Sequence, residues 1–389
     1  MSEQPTPSEH EQSPPAGLAS FPAPAGTSTA LSSVQERRQR AVDRMVAFAE
    51  NAVAANTKRG YRADWADFVA WCDTMEALAL PATPQTVALY VSDRAKEGPP
   101  GEDGTPTTGL KVATLERRLS AINQVHRAQG HPAPANRRDE PLKSAWSGMV
   151  GELGRVQDKA PALSATHLLR MVRAMPTGDD GELTLTALRD RALLLFGFAA
   201  ALRRSELVAV RAEHLTFQPA GIRLFIPRSK TDQSGEGYPV AVHYGERAET
   251  CPVLAVREWL DAAALAGVGS QRPRTAGGFA AGVGGVGGEA LTGPVFRKVD
   301  RWGRLGPRAL APATVSVIVK KAAERARIDG ATTFSGHSLR SGHATAAAKS
   351  GREERDIMAQ TRHRSEKVLR GYIQEGQLFD RSTSQSVGL

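Results

Sequence analysis

The sequence predicts a mainly α-helical protein of two domains, the second of which contains a small antiparallel β-sheet. Apolar residues recur at helical spacing from residue 34 to about residue 155, and no alternating strand pattern appears there. After residue 202 the pattern changes to three short segments that alternate and are rich in β-branched or aromatic residues. The chain has 389 residues, of which 41% are hydrophobic, and this is enough for two separate cores.

The first 33 residues are expected to form a disordered tail. They contain six prolines, seven serines and few large apolar residues. They also contain three glutamates but no lysine or arginine, so the rest of the chain has a net charge of +12 against +9 for the whole sequence. A basic excess of this size indicates a polyanionic partner such as nucleic acid, although a soluble basic protein without such a partner can carry the same charge.

Residues 34–155 are predicted to form an all-α domain of four helices. Thr57 is a suitable N-cap for the first of them. The apolar residues that follow it share one helix face at spacings of four, three and four, namely Tyr61, Trp65, Phe68 and Cys72. Residues 84–96, 114–130 and 140–153 complete the domain as helices.

Residues 156–389 are predicted to form an α+β domain. A helix near residues 165–175 and a strongly apolar helix at 185–202 open it. A three-stranded antiparallel sheet follows, with a protruding hairpin loop at 227–239. Its strands are expected at Leu215–Phe217, Ile222–Ile226 and Val240–Val242.

The remainder of the second domain is expected to be helical. Helices resume at Cys251 and continue from Pro312 to the end of the chain. Between them, residues 266–293 contain ten glycines and are predicted to be a flexible insertion.

Cysteine content and hydropathy exclude several classes of protein. The two cysteines, Cys72 and Cys251, show neither metal-ligand spacing nor a disulfide framework, which fits a reducing cytoplasm. The N-terminus lacks the basic-then-apolar pattern of a signal peptide. The longest apolar stretch, residues 192–202, is too short to cross a bilayer. We therefore expect a cytoplasmic protein without a membrane partner.

Six side chains of the second domain suggest a chemistry when they are considered together. Each is ordinary alone, since an Arg–Glu pair, a loop lysine or a tyrosine on an amphipathic helix is usually structural. Glu206 lies three residues after Arg203 and can orient it, while His337 and Arg340 share a face near a helix N-terminus, where anions are favoured. The six candidates are Arg203, Lys230, His337, Arg340, His363 and Tyr372.

These residue types suit metal-free exchange of phosphodiester bonds. A tyrosine phenol can attack phosphorus and form a covalent phosphotyrosine. Arginine forks match the non-bridging oxygens, which gather negative charge in the transition state. Lysine or histidine can give a proton to the leaving 5′-oxygen. We find no carboxylate cluster placed for Mg²⁺, because Asp179, Asp180 and Glu182 are crowded into one Gly-containing turn.

The order and spacing of these residues resemble the tyrosine recombinase (phage integrase) family. The step of 26 residues from His337 to His363 and the step of nine to Tyr372 are similar to that family's usual spacing. The stretches Thr114–Gly130 and Phe334–Ala348 look most like Cre-type site-specific recombinases. The resemblance covers nearly the whole chain from about residue 35.

The resemblance implies a fold, an activity and partners. The fold is a C-shaped DNA clamp with a SAM-like core-binding domain at 34–155 and a catalytic domain at 156–389. The activity is site-specific cleavage and rejoining of DNA through a 3′-phosphotyrosine, without metal, cofactor or ATP. The partners are double-stranded DNA target sites and further copies of the chain, as a homo-tetramer on DNA with a dimer per site. DNA-bending proteins are candidate accessory partners, and the location is the bacterial cytoplasm at the nucleoid.

The resemblance also implies a role for each candidate residue. Arg203 and Arg340 would clamp the scissile phosphate, and Glu206 would support Arg203. His337 would act on the phosphate and in proton transfer, and Tyr372 would be the nucleophile. The remaining two would be a general acid, Lys230, and a donor to a non-bridging oxygen, His363. Basic residues of the first domain are candidates for DNA contact: Lys58, Arg59, Arg62, Arg117 and Arg118.

The sequence departs from the family pattern at a few positions. Ala201 and Arg362 stand where glycine is usual. The Gly-rich insertion is longer than usual. The last residues, 373–389, resemble the tail that members dock on a neighbouring protomer, and a frayed end is the alternative interpretation.

Two other functions are consistent with these residues. A type IB topoisomerase uses similar Tyr–Arg–Lys chemistry, but that family tends to carry lysine where this chain has His337. A DNA-binding regulator without catalysis would need none of the six candidates. Strand exchange between two specific sites distinguishes a recombinase from the first alternative, and a covalent protein–DNA adduct distinguishes an enzyme from the second.

Overall fold

The protein divides into two compact units, residues 1–157 and 158–389. A computed structural model describes residues 36–41, 44, 55–101, 104–105, 107–155, 160–227, 236–267, 292–363, 365–366 and 369–372. The predicted tail at 1–33, Lys230, most of the Gly-rich insertion and the last residues, 373–389, lie outside these ranges.

The described part of the first unit is helical, as predicted. Its longer helices are α1 (Ala55–Thr74), α2 (Pro84–Lys96), α3 (Val112–Ala128) and α4 (Leu142–Leu153). The predicted N-cap Thr57 is wrong, because the two residues before it are also helical and Thr57 lies in the first turn. Thr83 caps α2, since its side chain accepts a hydrogen bond from the Thr86 amide at 3.1 Å.

The apolar faces of these four helices meet in one core. Phe68 and Cys72 of α1 are fully buried, as are Leu115 and Ile122 of α3, in agreement with the predicted helix faces. Aromatic rings fill the centre, where Tyr90 packs edge-on against Phe68 at 4.9 Å between ring centroids. The spacing of apolar residues thus determined both the helices and the side that each one buries.

The second unit contains helices and two small sheets. A segment ahead of its first helix, including Leu163, packs against a later helix through a hydrogen bond from the Leu163 amide to the Ser338 carbonyl at 3.1 Å. The helices are α5 (Ala165–Arg173), α6 (Leu185–Ala199), α7 (Arg204–Val208), α8 (Pro252–Gly267), α9 (Pro312–Arg325), α10 (Gly336–Lys349) and α11 (Glu354–Thr361). Residues 369–372 are also helical.

The predicted three-stranded sheet is confirmed. Strands β1 (Leu215–Gln218), β2 (Gly221–Ile226) and β3 (Tyr238–His243) pair in that order, and both pairs are antiparallel. The β2–β3 ladder extends from Gly221 opposite His243 to Ile226 opposite Tyr238. The loop that carries Lys230 therefore connects two strands that stay paired to their ends.

A second sheet was missed by the sequence analysis. Strands β4 (Arg297–Val299) and β5 (Leu305–Ala309) form an antiparallel hairpin with an irregular register. They are only three and five residues long, and β5 contains Gly306 and Pro307. Both residue types are depleted in strands, so no alternating pattern marked this region.

Helix α6 is the centre of the second unit's core. Leu193, Leu194 and Phe196 are fully buried, so the second half of the helix is buried on most of its sides. The chain then reverses through Ala201, which is itself fully buried and has a left-handed φ of 50°. This tight reversal brings Arg203 back toward the core.

Helix α10 packs closely because it carries small residues. A Cβ at Gly342 would lie 2.1 Å from the Leu163 carbonyl oxygen, and one at Gly336 would lie 2.4 Å from Cγ of Arg204. These glycines let the N-terminal part of α10 approach neighbouring backbone and side chains directly. None of the described helices is both long and apolar enough to cross a membrane.

Replacement of Gly342 by alanine should lower the free energy of unfolding by about 1–3 kcal/mol, because the new methyl group has no room beside Leu163. The matched control is Thr345→Val on the same helix. The Thr345 hydroxyl is buried without a hydrogen-bond partner among the described residues, so its removal should leave stability unchanged or raise it. Urea denaturation followed by circular dichroism measures both variants, and a stable Gly342→Ala protein would contradict the packing described.

Candidate active site

Arg203 is positioned by the reversal between α6 and α7. Its Nη1 donates to Oε1 of Glu206 at 2.7 Å, and its backbone amide donates to Oε2 of the same carboxylate at 2.9 Å. Through these two hydrogen bonds Glu206 supports Arg203 in the way that the sequence analysis expects. The Arg203 side chain is 21% exposed, and that of Glu206 is 3% exposed, so the arginine can reach solvent while the carboxylate cannot.

The N-terminus of α10 carries His337 and Arg340. Ser335 caps the helix by accepting a hydrogen bond from the His337 amide at 3.2 Å. Arg340 is 2% exposed and donates from Nη1 to the Ala201 carbonyl at 2.8 Å. Its Nη2 is buried without a partner in the described part of the chain, so an N–H donor remains available for a ligand.

Tyr372 lies against the same end of α10. It is 8% exposed and packs with Ala344, Ile357 and Leu369 in a small apolar cluster. Its hydroxyl is 2.8 Å from Nε2 of His337, within hydrogen-bond distance. The helical residues 369–372 thus place the phenol beside a potential proton acceptor.

His363 also lies near Tyr372. Its ring centroid is 5.9 Å from that of Tyr372, and its Nδ1 is 2.8 Å from Oγ1 of Thr361. This contact fixes the ring through Nδ1. Five of the six predicted residues therefore lie within one region of the second unit, namely Arg203, His337, Arg340, His363 and Tyr372.

Arg362 belongs to the site although the sequence analysis did not include it. Its Nη2 donates to Oε2 of Glu206 at 2.8 Å, and its carbonyl oxygen accepts a hydrogen bond from Nη2 of Arg203 at 3.3 Å. The only sequence signal was a large residue in place of a usual glycine, directly before His363. A departure from a family pattern does not show whether the new side chain points into the fold or to solvent. The sequence alone therefore could not place Arg362 in the site.

Burial and positive charge keep the two histidines of the site neutral. Burial, followed by the charges of Arg340 and Arg203, lowers the pKa of His363 to about 4. Burial, followed by Arg340 and other nearby arginines, lowers the pKa of His337 below its ordinary value. A neutral His337 can accept a proton, which a histidinium cannot.

The arginines remain charged around a single carboxylate. Burial, followed by Arg203 and Arg362, lowers the pKa of Arg340 to about 9, so this guanidinium is still protonated at neutral pH. For Glu206, burial alone would raise the pKa, but Arg362 and Arg203 bring it below its ordinary value. Three guanidinium groups and one carboxylate leave an excess of two positive charges, which suits a phosphate.

The basic candidates of the first unit occupy different environments. Arg118 is 6% exposed and binds Asp67 and the Tyr90 hydroxyl, so its charge is neutralised inside the fold and we withdraw it from the DNA-contact set. Arg117 is half-exposed and pairs with Asp64 through Nε at 2.8 Å and Nη2 at 2.9 Å. The three candidates on α1 lie nearer the surface: Lys58 is half-buried, and Arg59 and Arg62 are exposed.

Two further predictions concern metal ligation and Lys230. Within the described ranges, no group of three or more His, Cys, Asp or Glu side chains is arranged to hold a metal ion. Lys230 lies outside those ranges, so its predicted place in the site stays a prediction. His343, also on α10, packs its ring against Phe198 at 5.9 Å between centroids.

Comparisons with known proteins identify relatives. The model of the phage integrase family matches residues 163–377. A protein of Selenomonas ruminantium described as an integrase/recombinase xerD homolog is 36% identical over 332 residues, which are 85% of this chain and 84% of that protein.

Among solved structures, this chain is similar to a site-specific recombinase and to an integrase. XerH bound to a palindromic difH substrate has a TM-score of 0.49 and 16% identity, with 78% of this chain and 71% of that chain covered. A lambda integrase dimer bound to a core site has a TM-score of 0.48 and 14% identity, with 85% of this chain and 93% of that chain covered.

The second unit should lose stability as the pH falls from about 6.5 to about 4. In this window the unfolded chain binds protons that native His343 and His363 do not, because burial lowers the pKa of each to about 4. Replacement of His343 by asparagine should therefore reduce the dependence of the unfolding free energy on pH. Chemical denaturation at intervals between pH 4 and pH 8 measures it. An identical pH dependence in the variant would show that native His343 binds its proton as the unfolded chain does.

Proposed function

Because this chain belongs to the phage integrase family of tyrosine-type site-specific DNA recombinases, we propose that it cleaves and rejoins DNA through a 3′-phosphotyrosine at Tyr372. The observation that carries the proposal is the 2.8 Å contact between the Tyr372 hydroxyl and Nε2 of His337, near the buried Arg340 and the partly exposed Arg203. A phenol beside a neutral imidazole is an activated nucleophile.

In the cleavage step the phenol oxygen attacks the scissile phosphorus. The proton of Tyr372 passes to Nε2 of His337, whose lowered pKa leaves it neutral and able to accept. The bond from phosphorus to the tyrosine oxygen forms, and the bond to the 5′-oxygen breaks. Rejoining is the reverse, with a 5′-hydroxyl as the nucleophile and His337 returning the proton to the phenol.

Arg203 and Arg340 would stabilise the charge that develops on the two non-bridging oxygens. Both are held in place before DNA arrives, Arg203 by Glu206 and Arg340 by the Ala201 carbonyl. Preorganised donors of this kind are worth about 10²–10³ in rate each. The unpartnered Nη2 of Arg340 is a donor that such an oxygen would satisfy.

Two further residues complete the proposed chemistry. His363 lies with its Nδ1 2.8 Å from Oγ1 of Thr361. In the tautomer with its proton on Nε2, for which the Thr361 hydroxyl turns from the Ile357 carbonyl to Nδ1, His363 would donate to a non-bridging oxygen. Lys230, from the loop between β2 and β3, would protonate the departing 5′-oxygen. Side chains would then carry out every proton transfer and stabilise the developing charge, so the reaction would need no metal or cofactor. The phosphotyrosine would keep the energy of the broken phosphodiester bond for rejoining, so no ATP would be needed.

The rest of the proposal concerns how DNA is held. The first unit, with exposed Arg59 and Arg62 on α1, would be the core-binding domain, and the second the catalytic domain. The net charge of +9 fits double-stranded DNA as the partner. Assembly would be a tetramer on two sites, with a dimer on each, in the cytoplasm. Family membership favours this recombinase function over DNA relaxation by a topoisomerase or silent DNA binding.

Tyr372→Phe should bind DNA as the wild type does but form no covalent adduct, because the attacking oxygen is gone. The measurement uses a library of nicked duplexes of random sequence, since the nick traps the adduct by releasing the cleaved end. Protein-linked DNA is isolated under denaturing conditions and sequenced, and the recovered duplex serves as substrate for every variant.

Three results would revise this proposal. No wild-type adduct from any library member would contradict catalysis. An adduct in Tyr372→Phe would mean that another residue is the nucleophile. Relaxation of supercoiled DNA without exchange between two copies of the recovered site would favour the topoisomerase alternative.

Arg59→Ala and Arg62→Ala should each weaken DNA binding and reduce the slope of log affinity against log salt by about 1, if each contacts one phosphate. Arg138→Ala, which removes the same charge from an exposed position elsewhere in the first unit, is the control. Titrations at several salt concentrations give the slopes. Equal slopes for all proteins would place this face of α1 away from the DNA.

A further inference from the structure

Arg362 occupies a buried position behind the two arginines that are proposed to hold the phosphate. Its side chain is 5% exposed, so it lies too deep to touch a substrate. It makes four hydrogen bonds, to Oε2 of Glu206 at 2.8 Å and to the carbonyls of Gln360, Ala201 and Ala200 at 2.8, 3.2 and 3.5 Å. These acceptors belong to the two segments that frame the site.

Both phosphate-clamping arginines depend on groups that Arg362 also holds. Arg203 binds the other oxygen of Glu206 at 2.7 Å and the backbone carbonyl of Arg362 itself at 3.3 Å. Arg340 donates to the same Ala201 carbonyl as Arg362, at 2.8 Å. The guanidinium of Arg362 therefore connects the supports of Arg203 and Arg340.

The backbone at this position is strained for a residue with a side chain. Arg362 has a φ of 56°, in the left-handed region, which costs a non-glycine residue about 1–2 kcal/mol. Glycine adopts this conformation freely. The side chain offsets this strain through its hydrogen bonds to Glu206 and to three backbone carbonyls. A glycine at this position would relieve the strain but could not make these hydrogen bonds.

We propose that Arg362 is a positioning residue, which fixes Arg203 and Arg340 in their phosphate-binding orientations through Glu206 and the Ala201 carbonyl. This inference rests on the proposed function. Without the Arg362 guanidinium, the buried Glu206 carboxylate has one cationic partner instead of two. It is then free to turn and take both arms of Arg203, which draws that fork away from the phosphate.

The first test compares adduct formation on the recovered duplex by wild type, Arg362→Gly and Arg362→Lys. Arg362→Gly should cleave about 10- to 100-fold more slowly, since small misplacements of catalytic groups have effects of this size. DNA affinity should stay within about twofold, because Arg362 does not reach the surface. Lysine keeps the charge but not the fork, so its rate should lie between the two. Arg355→Ala, at a side chain that is 80% exposed, removes the same charge and should cleave at the wild-type rate.

A second test asks whether Arg362 acts through Arg203. Arg362→Gly is introduced into wild type and into Arg203→Ala, and the two losses in cleavage rate are compared. If Arg362 positions Arg203, the loss in the Arg203→Ala background is smaller, and the remainder is the part that acts through Arg340. Losses that multiply would overturn the inference, because a general loss of structure does not depend on whether Arg203 is present.

Folding and function are separated by the controls. The unfolding transition of each variant is measured, and if Arg362→Gly does not fold, the same comparison is made with Arg362→Lys. Absence of an adduct with the wild type contradicts the proposed function as a whole. A normal adduct rate in Arg362→Gly, with wild type active, overturns only the role of Arg362.

Discussion

The site depends on one buried carboxylate that is shared by two arginines. Glu206 binds Arg203 with one oxygen and Arg362 with the other, and its side chain is 3% exposed. A buried charge is costly unless it is paired and hydrogen-bonded, so the carboxylate and both guanidinium groups must take up one mutual arrangement. Arg340 is connected to the same frame, because Arg340 and Arg362 both donate to the Ala201 carbonyl.

The excess of positive charge around Glu206 has a chemical use. Burial, and after it this positive charge, lowers the pKa of His363 to about 4 and that of His337 below its ordinary value. The same surroundings that attract a phosphate therefore leave His337 neutral and able to take the proton of Tyr372. One electrostatic arrangement thus serves two parts of the proposed reaction, binding of the anion and activation of the nucleophile.

Two left-handed residues make this arrangement sterically possible. Ala201 has a φ of 50° and Arg362 a φ of 56°, and these are the two positions where the family usually has glycine. At the first, the chain reverses after α6 and exposes a carbonyl that accepts from Arg340 and Arg362. At the second, the chain leaves α11 and turns His363 toward Tyr372. The strain at both positions lies where the reacting groups are held, as is common at functional sites.

The sequence by itself determined the fold class, most helix positions, the three-stranded sheet and the chemical types of the site residues. Helical and strand periods are local properties of the chain, and the spacing of His337, His363 and Tyr372 can be counted directly in the sequence. Only the tertiary structure decided where charges lie. It showed that Arg118, which sequence alone could not distinguish from Arg59, is buried against Asp67, and that Arg362 is part of the site. It also revealed the β4–β5 hairpin, whose short strands have no pattern of their own. Whether a charged side chain points to solvent or to a buried partner depends on residues that are distant in sequence, and that information exists only once the chain has folded.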